Sequence, residues 1–153
     1  MARPLLDRVE VAHPGVARAA ARTALRLPPP LRRRVIAGAF ARAEAAFNRH
    51  DLAPTFAGWA DDVVYDPPPP LPGAGRLVGR DAVAAFWDAT FERFPESRIE
   101  NLEVQEAGPG VIRRRARLHH VERDTGRTLD YTILQVTRLR DGTVVEQTNE
   151  LLG

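Results

Sequence analysis

Polar and apolar residues alternate through residues 111–152, which read VIRRRARLHHVERDTGRTLDYTILQVTRLRDGTVVEQTNELL. The alternation predicts strands, because successive side chains of a strand point to opposite faces of a sheet. The alternation stops at DTG (124–126) and DG (141–142), which are typical of tight hairpin turns. A similar segment comes before GPG (108–110). We therefore predict an antiparallel meander of four strands, at about 97–106, 111–123, 127–140 and 143–152.

The residues before Pro95 follow a helical period instead. One amphipathic helix is predicted from residue 35 to NRHD (48–51), and a short second helix follows it. A short strand at VVY (63–65) leads into a proline-rich loop, and a small strand is predicted at about 76–78. A strong helix then runs from Asp81 to the stop at Pro95. Helices followed by a meander predict an α+β domain whose sheet is covered by helices on one face.

The N-terminal 34 residues differ in charge from the rest of the chain. They hold eight Arg against two acids, whereas residues 35–153 hold 14 Arg against 18 acids. A helix is predicted at about 16–27, and Pro28–Pro30 would form a stiff, extended spacer after it. We divide the chain into an Arg-rich arm (1–34) and an α+β domain (35–153). The arm is expected to be a docked extra helix or a loose leader, with a membrane-surface patch, a nucleic-acid patch or an organelle transit peptide as alternatives.

Composition excludes several classes of function. The 153 residues suit one globular domain, and all 22 basic residues are Arg, so the pI near 9.9 at a net charge of +2 does not indicate nucleic-acid binding. The chain has no cysteine, which excludes disulfides, thiolate metal sites and a cysteine nucleophile. No apolar run approaches the roughly 18 residues of a membrane span. We expect a bacterial, cytoplasmic protein that needs no metal or cofactor, with no nucleic-acid partner.

The parity of the strands predicts which polar side chains point inward. His120 shares a face with Ile112, Ala116 and Leu118, and this face is expected to be the concave one. On the next two strands the same face carries Tyr131, Gln135 and Asn149. Polar groups that converge on an apolar face suggest a cavity. His120 is the best candidate for general acid/base chemistry, and the alternative is a buried histidine with a structural role.

Four short motifs resemble a known family. They are FNRHDL (47–52), WADDVVY (59–65), GRDAV (79–83) with FW (86–87), and DGTVVE (141–146). In this order they are similar to the SnoaL-like polyketide cyclases of the nuclear transport factor 2-like superfamily, from about residue 35 to the end. The resemblance implies a cone-shaped, curved antiparallel sheet wrapped around helices, of the cystatin-like roll type. It also implies a deep pocket and a homodimer formed through the outer sheet face.

The resemblance also suggests roles for single residues. Asp66 resembles the proton-shuttling Asp of ketosteroid isomerases, although a one-residue gap would turn it to the other face, where it would cap a turn. Gln135 falls about where those isomerases have an acidic oxyanion donor. Asn149 falls where SnoaL-like cyclases often carry an acid/base Asp, whose proton an amide cannot accept. The apolar wall of the pocket is expected from Phe40, Trp59, Phe86 and Trp87.

These expectations define a functional hypothesis. The chain would be a cofactor-independent acid/base enzyme acting on a small, apolar, oxygenated polyketide or terpenoid by cyclisation, dehydration or isomerisation. His120 and Asp66 would move the proton, while Tyr131, Gln135 and Asn149 would hold and polarise the oxygen. The alternative is a non-catalytic domain of the same fold that binds a small molecule or serves assembly.

Overall fold

The computed structural model describes residues 2–153 as five helices and one sheet of six strands. The helices are α1 (Leu5–Ala12), α2 (Pro14–Ala24), α3 (Pro29–Asn48), α4 (Ala53–Phe56) and α5 (Arg80–Arg93). The strands are β1 (Trp59–Asp66), β2 (Leu77–Val78), β3 (Glu96–Gly108), β4 (Val111–Val121), β5 (Thr128–Arg140) and β6 (Thr143–Leu152). This order of elements confirms the predicted α+β class.

The sheet is curved and does not close into a barrel. Its strand order is β2-β1-β6-β5-β4-β3, and β1 runs parallel to β6 while the other neighbours are antiparallel. The predicted meander is therefore present as β3 to β6. In the β5–β6 turn, Asp141 and Gly142 have φ angles of 52° and 77°, which suit a two-residue hairpin between Arg140 and Thr143.

Helices α3 and α5 cover the concave face of the sheet. At the C-terminal end of α3, the Asn48 side chain bonds both backbone groups of Ile99, with its Nδ2 donating over 3.0 Å and its Oδ1 accepting over 2.8 Å. Phe47 of α3 meets Trp87 of α5 edge to face, with ring centroids 5.1 Å apart. Aromatic packing between the two helices and hydrogen bonding to edge strand β3 thus hold the helical layer on the sheet.

The N-terminal segment contacts the rest of the molecule through ion pairs. Asp7, which is 2% exposed, pairs with Arg49 over 2.6 Å, and Glu10 pairs with Arg42 over 3.1 Å. Arg3 forms a two-point contact with Asp51 at 2.8 and 2.9 Å. Helix α1 has its acidic residues against arginines of α3 and the residues that follow it, whereas Leu5 and Leu6 are exposed.

One prediction for this segment is wrong. Pro29 and Pro30 do not form an extended spacer, because they occupy the first turn of α3. Proline is tolerated there, since the first N–H groups of a helix have no partner within the helix and the fixed φ of proline suits the start. Helix α1 was also not predicted. In the described residues 2–153, no helix has the length and apolar character needed to cross a membrane.

Candidate functional site

A cavity of about 310 Å³ lies between the helices and the concave face of the sheet. Most of its wall is apolar, and helices α3, α4 and α5 and strands β1, β3, β4, β5 and β6 contribute to it. Helices α1 and α2 complete the wall with Asp7, Glu10 and a row of small side chains that includes Ala17, Ala20 and Ala24. The arm outside the predicted domain is thus part of the cavity. Its volume is at the lower end of the range for small-molecule sites.

Three polar side chains cross the cavity wall in one row. Arg114 of β4 lies opposite Gln135 of β5, and Gln135 lies opposite Asn149 of β6. Arg114 Nη1 donates to Gln135 Oε1 over 3.2 Å, and Gln135 Nε2 donates to Asn149 Oδ1 over 3.0 Å. Asn149 Nδ2 then donates to the backbone oxygen of Asp66 over 2.8 Å. The row is a hydrogen-bonded chain with one direction, from the guanidinium to a carbonyl.

The two ends of this chain determine how both amides are oriented. A guanidinium only donates and a carbonyl oxygen only accepts, so Asn149 must present its NH₂ to Asp66 and Gln135 must present its oxygen to Arg114. If either amide were flipped by 180°, a donor would face a donor or an acceptor would face an acceptor. The row is therefore a pre-organised set of dipoles, which is the property that stabilises charge developing on a bound molecule.

Tyr65 adds a hydroxyl to the same wall. It points inward from β1, and its oxygen accepts the indole N–H of Trp87 over 3.0 Å. Burial raises the pKa of the Tyr65 phenol above its usual value, so the hydroxyl stays protonated and can act as a donor. The Asn149 side chain also approaches the Tyr65 hydroxyl, so Tyr65 adjoins the polar row.

Arg114 is the unusual member of the wall. It is 6% exposed, and its Nε has no hydrogen-bond partner. The Phe40 ring lies 5.5 Å from the guanidinium carbon, which allows a cation–π contact. Burial lowers the pKa of Arg114 to about 10, and the negative charge of Glu44 opposes this shift. The side chain is thus a cation at neutral pH, largely removed from water.

The cavity brings together five of the nine side chains predicted for the site. These are Phe40, Trp59, Trp87, Gln135 and Asn149. Phe86 is not part of the wall; it packs edge to face on Trp87, with centroids 5.5 Å apart. Tyr131, His120 and Asp66 are also absent from the wall. The predicted apolar wall and amide pair are therefore present, but the two predicted proton carriers do not reach the cavity.

His120 points inward, as its parity predicts, but it is buried in a network of its own. Its Nδ1 is 2.8 Å from Ser97 Oγ and its Nε2 is 2.8 Å from Tyr131 Oη. Because Ser97 donates its proton to the backbone oxygen of Phe94, His120 must donate from Nδ1 and accept at Nε2. Burial lowers the pKa of His120 to about 4, so it is neutral at pH 7. This network matches the structural role considered as the alternative for His120.

Asp66 faces away from the cavity. Both of its carboxylate oxygens accept hydrogen bonds from Arg76 over 2.9 Å, and this pairing lowers the pKa of the carboxyl below its usual value. Tyr65, one residue earlier, takes the inward position. The one-residue gap noted in the sequence comparison therefore reverses the face, as the two-residue period of a strand requires. Only the backbone oxygen of Asp66 takes part in the polar row.

Sequence reasoning missed Arg114 and Tyr65. Arg114 has the parity of Ile112 and Ala116, so the alternation that assigned His120 to the inner face assigns Arg114 there as well. The run RRRAR (113–117) is typical of a charged outer surface, which hides the inward parity of Arg114. Arg115 and Arg117 do lie on that surface, within 3.5 Å of Glu103 and 3.6 Å of Glu100. Tyr65 shares the parity of buried Val63, which indicates that it points inward. The resemblance of Asp66 to a catalytic Asp drew the prediction to the neighbouring residue instead.

The described residues 2–153 contain no group of three or more His, Cys, Asp or Glu side chains placed to hold a metal ion. The polar side chains of the cavity wall are arginines, amides and hydroxyls, together with Asp7 and Glu10, which are paired with arginines. The chemistry available in the wall is therefore the binding and polarisation of oxygen atoms.

Solved structures share this fold. An NTF2-like protein of unknown function from Burkholderia pseudomallei is 24% identical, with a TM-score of 0.65 over 75% of this chain and 88% of the other. TerC, crystallised with polyporic acid, is 17% identical, with a TM-score of 0.62 over 75% and 89%. IdmH from Streptomyces antibioticus, a candidate polyketide cyclase, is 24% identical, with a TM-score of 0.59 over 75% and 90%. At these identities the likeness shows the fold alone.

The family is shown by the sequence itself. No curated protein matches the chain. The model of the SnoaL-like domain matches residues 40–147, which span α3 to β6 and include Arg114, Gln135 and the inward face of β1. Most of α1 to α3 and Asn149 lie outside the match. Since the match covers more than half of the residues, the chain belongs to the SnoaL-like domain family.

Proposed function

We propose that this chain is a cofactor-independent enzyme that binds a small, largely apolar, oxygenated metabolite of polyketide or terpenoid type. It would promote cyclisation, dehydration or isomerisation in the bacterial cytoplasm by polarising one oxygen of the bound molecule. The observation that carries the proposal is the hydrogen-bonded row Arg114–Gln135–Asn149 in the wall of a mainly apolar cavity. TerC, which has the same fold, was crystallised with a small organic molecule, polyporic acid, and IdmH is a candidate polyketide cyclase.

The physical basis is electrostatic. Donors that are fixed in place before the reaction stabilise an enolate or alkoxide without having to reorganise, and low polarity strengthens their effect. Arg114 and the Tyr65 hydroxyl supply such donors, and the amide row holds the guanidinium in position. The proton would move within the bound substrate or through the Tyr65 hydroxyl, because His120 and the Asp66 carboxylate lie outside the cavity wall.

A second function has its own support. The same absence of His120 and Asp66 from the wall favours a non-catalytic domain that holds a small molecule. Asp7 and Glu10, the carboxylates in the wall, are paired with arginines and do not present a free base. Under this alternative the polar row would orient a ligand without chemical change.

Ligand binding and product formation separate the two functions. Trp59 and Trp87, the two tryptophans of the chain, both line the cavity, so their fluorescence reports on its occupation. A panel of aromatic polyketide-like ketones is titrated against this signal, and each binder is incubated with the protein and analysed by mass spectrometry and NMR. Isomerised, dehydrated or cyclised product supports the enzyme. Tight binding with unchanged ligand supports the binding domain, and no binding contradicts both.

Gln135→Leu tests whether the polar row acts in turnover. Gln135→Leu removes the acceptor that holds the Arg114 guanidinium in position. Because loss of one donor to a developing oxyanion typically lowers turnover by about 10²- to 10³-fold, we expect a decrease of up to this order when that donor is released. Gln105→Leu is the matched control, because Gln105 is exposed on edge strand β3, and it should keep native turnover. Native turnover in Gln135→Leu would contradict the role of the row.

A further inference from the structure

The charge on Arg114 has no partner of opposite sign in hydrogen-bonding contact. Its one hydrogen bond goes to the neutral amide of Gln135, and its Nε–H is buried without an acceptor. A buried guanidinium normally pairs with a carboxylate, because desolvating a charge without compensation is costly. In residues 2–153, no salt bridge within 4.0 Å involves Arg114.

The acidic side chains closest to the cavity are already engaged. Glu44 of α3 attracts Arg114 at longer range, but its Oε2 accepts the backbone N–H of Asn101 over 2.6 Å. Asp7 lies between Arg49 and Arg42, and Glu10 pairs with Arg42. In residues 2–153, no carboxylate is therefore in direct contact with Arg114, although the cavity wall contains two.

The polar row keeps the guanidinium facing the cavity. Because the chain of donation ends at the fixed carbonyl of Asp66, Gln135 can present only its oxygen to Arg114. That oxygen takes one N–H of the guanidinium, and the Phe40 ring covers part of the group at 5.5 Å. Because Arg114 lines the cavity, the part of its guanidinium that neither Gln135 nor Phe40 occupies is held beside a space that a small molecule can enter.

Resting on the proposed function, we propose that the natural ligand is an organic anion. It would have an apolar skeleton with one oxygen-centred negative charge, either a carboxylate or an acidic enol, which accepts hydrogen bonds from the Arg114 guanidinium. The rest of the ligand would lie against the apolar wall. A charge-assisted hydrogen bond in a site shielded from water is strong, and the ligand would place a counter-charge in direct contact with Arg114, closer than Glu44. A neutral analogue of the same shape would leave the cation unpaired.

Two matched pairs of probes test this inference through Trp59 and Trp87 fluorescence. The first pair is 1-naphthoate and 1-naphthamide, and the second is 2-hydroxy-1,4-naphthoquinone, an acidic enol, with its neutral 2-methoxy ether. At pH 7 and low salt, we expect the anion of at least one pair to bind about 10- to 100-fold more tightly than its neutral partner. The pair with the larger ratio identifies the type of acidic oxygen.

Variants assign the preference to Arg114. In Arg114→Met the anion and its neutral partner should bind within a few-fold of each other. Arg115→Met is the matched control, because Arg115 faces outward beside Glu103, and it should keep the native ratio. Arg114→Lys retains the positive charge and should keep part of the preference for the anion.

The possible outcomes distinguish the organic-anion inference, its assignment to Arg114 and the proposed function. Equal affinity of the native protein for both members of both pairs would overturn the organic-anion inference and leave the proposed function in place. A preference that persists in Arg114→Met would overturn the assignment to this residue. Binding of none of the four probes would overturn the proposed function together with the inference. If Arg114→Met does not fold, the native ratios and Arg114→Lys still decide.

Discussion

The neutral charge state of His120 is a consequence of burial and makes a contribution to stability that depends on pH. The pKa in the folded protein is about 4, below the ordinary histidine value near 6.5. As pH falls below 6.5, the unfolded chain gains a proton that the folded protein does not accept until about pH 4. Folding therefore becomes less favourable through this window, by about 2–3 kcal/mol at pH 4.5.

His120→Gln removes this titration and leaves the other ionisable groups unchanged. Between pH 7 and 4.5, the free energy of unfolding should fall about 2–3 kcal/mol further in the native protein than in the variant. Urea unfolding followed by circular dichroism at both pH values measures the difference. Equal pH dependence in the two proteins would show that His120 ionises normally.

A second prediction at this scale concerns the removal of the Tyr65 hydroxyl. Tyr65→Phe leaves the buried indole N–H of Trp87 without its acceptor, which typically costs about 1–3 kcal/mol of stability. It should also lower turnover or ligand affinity, because the hydroxyl belongs to the cavity wall. Tyr131→Phe serves as the control. It breaks the bond to His120 outside the cavity, so it should cost stability while leaving ligand affinity unchanged in fluorescence titrations.

Strand parity correctly predicted on which face of the sheet these side chains lie, but it did not predict which of them reach the cavity. It placed Gln135, Asn149 and His120 on the inner face, and all three lie there. Parity cannot say how far along a strand the cavity extends, and at His120 the space is filled by Ser97 and Tyr131. The role of Asp66 required an exact register at the end of β1, which a single sequence leaves ambiguous by one residue.

At the scale of elements, helix α2 lies directly against the β5–β6 turn. A Cβ built on Gly142 would lie 2.5 Å from the backbone oxygen of Arg18 and 2.6 Å from the backbone nitrogen of Arg22. Such distances cannot be accommodated, so any side chain at Gly142 must move α2. Because α2 lines the cavity, this contact couples a hairpin turn to the shape of the binding site.

Gly142→Ala tests that contact, and Gly126→Ala is its control. Both glycines have positive φ, 77° and 69°, but a Cβ on Gly126 meets no atom within 4 Å. We expect Gly126→Ala to cost about 1–2 kcal/mol through backbone strain alone, and Gly142→Ala to cost clearly more. Ligand affinity should fall only in Gly142→Ala. Equal effects of the two substitutions, in denaturation and in fluorescence titration, would contradict the contact.

Helices and strands were predictable where the hydrophobic periodicity is uniform over a long stretch of sequence. Strands β5 and β6 and helix α5 lie within a residue or two of their predicted bounds. Helix α1 was missed because ion pairs with Arg49 and Arg42, distant in the sequence, hold its inward side, so it lacks the apolar stripe that marks a buried helix. The extended spacer predicted at Pro29 and Pro30 was wrong, because proline breaks a helix in its interior but not in its first turn.

At the scale of the whole molecule, the outer face of the sheet carries cross-strand ion pairs. Besides Arg115–Glu103 and Arg117–Glu100, it includes His119 and Asp130, 2.6 Å apart. We predict a homodimer that uses this face. Its mass in light scattering should be twice 16.9 kDa at low salt and should fall toward the monomer as salt screens the charges. A constant monomer mass at all concentrations and at low salt would contradict the dimer.

The parallel pairing of β1 with β6 has a consequence for the order of folding. Strands β3 to β6 are joined by short turns, whereas Asp66 and Asn149 meet across 83 positions of the chain. Closing the longer loop costs more entropy, so β1 should dock after the meander has formed. Stopped-flow kinetics should then show that Val63→Ala mainly accelerates unfolding, while Ile133→Val mainly slows folding. The cavity would be the last part of the molecule to form.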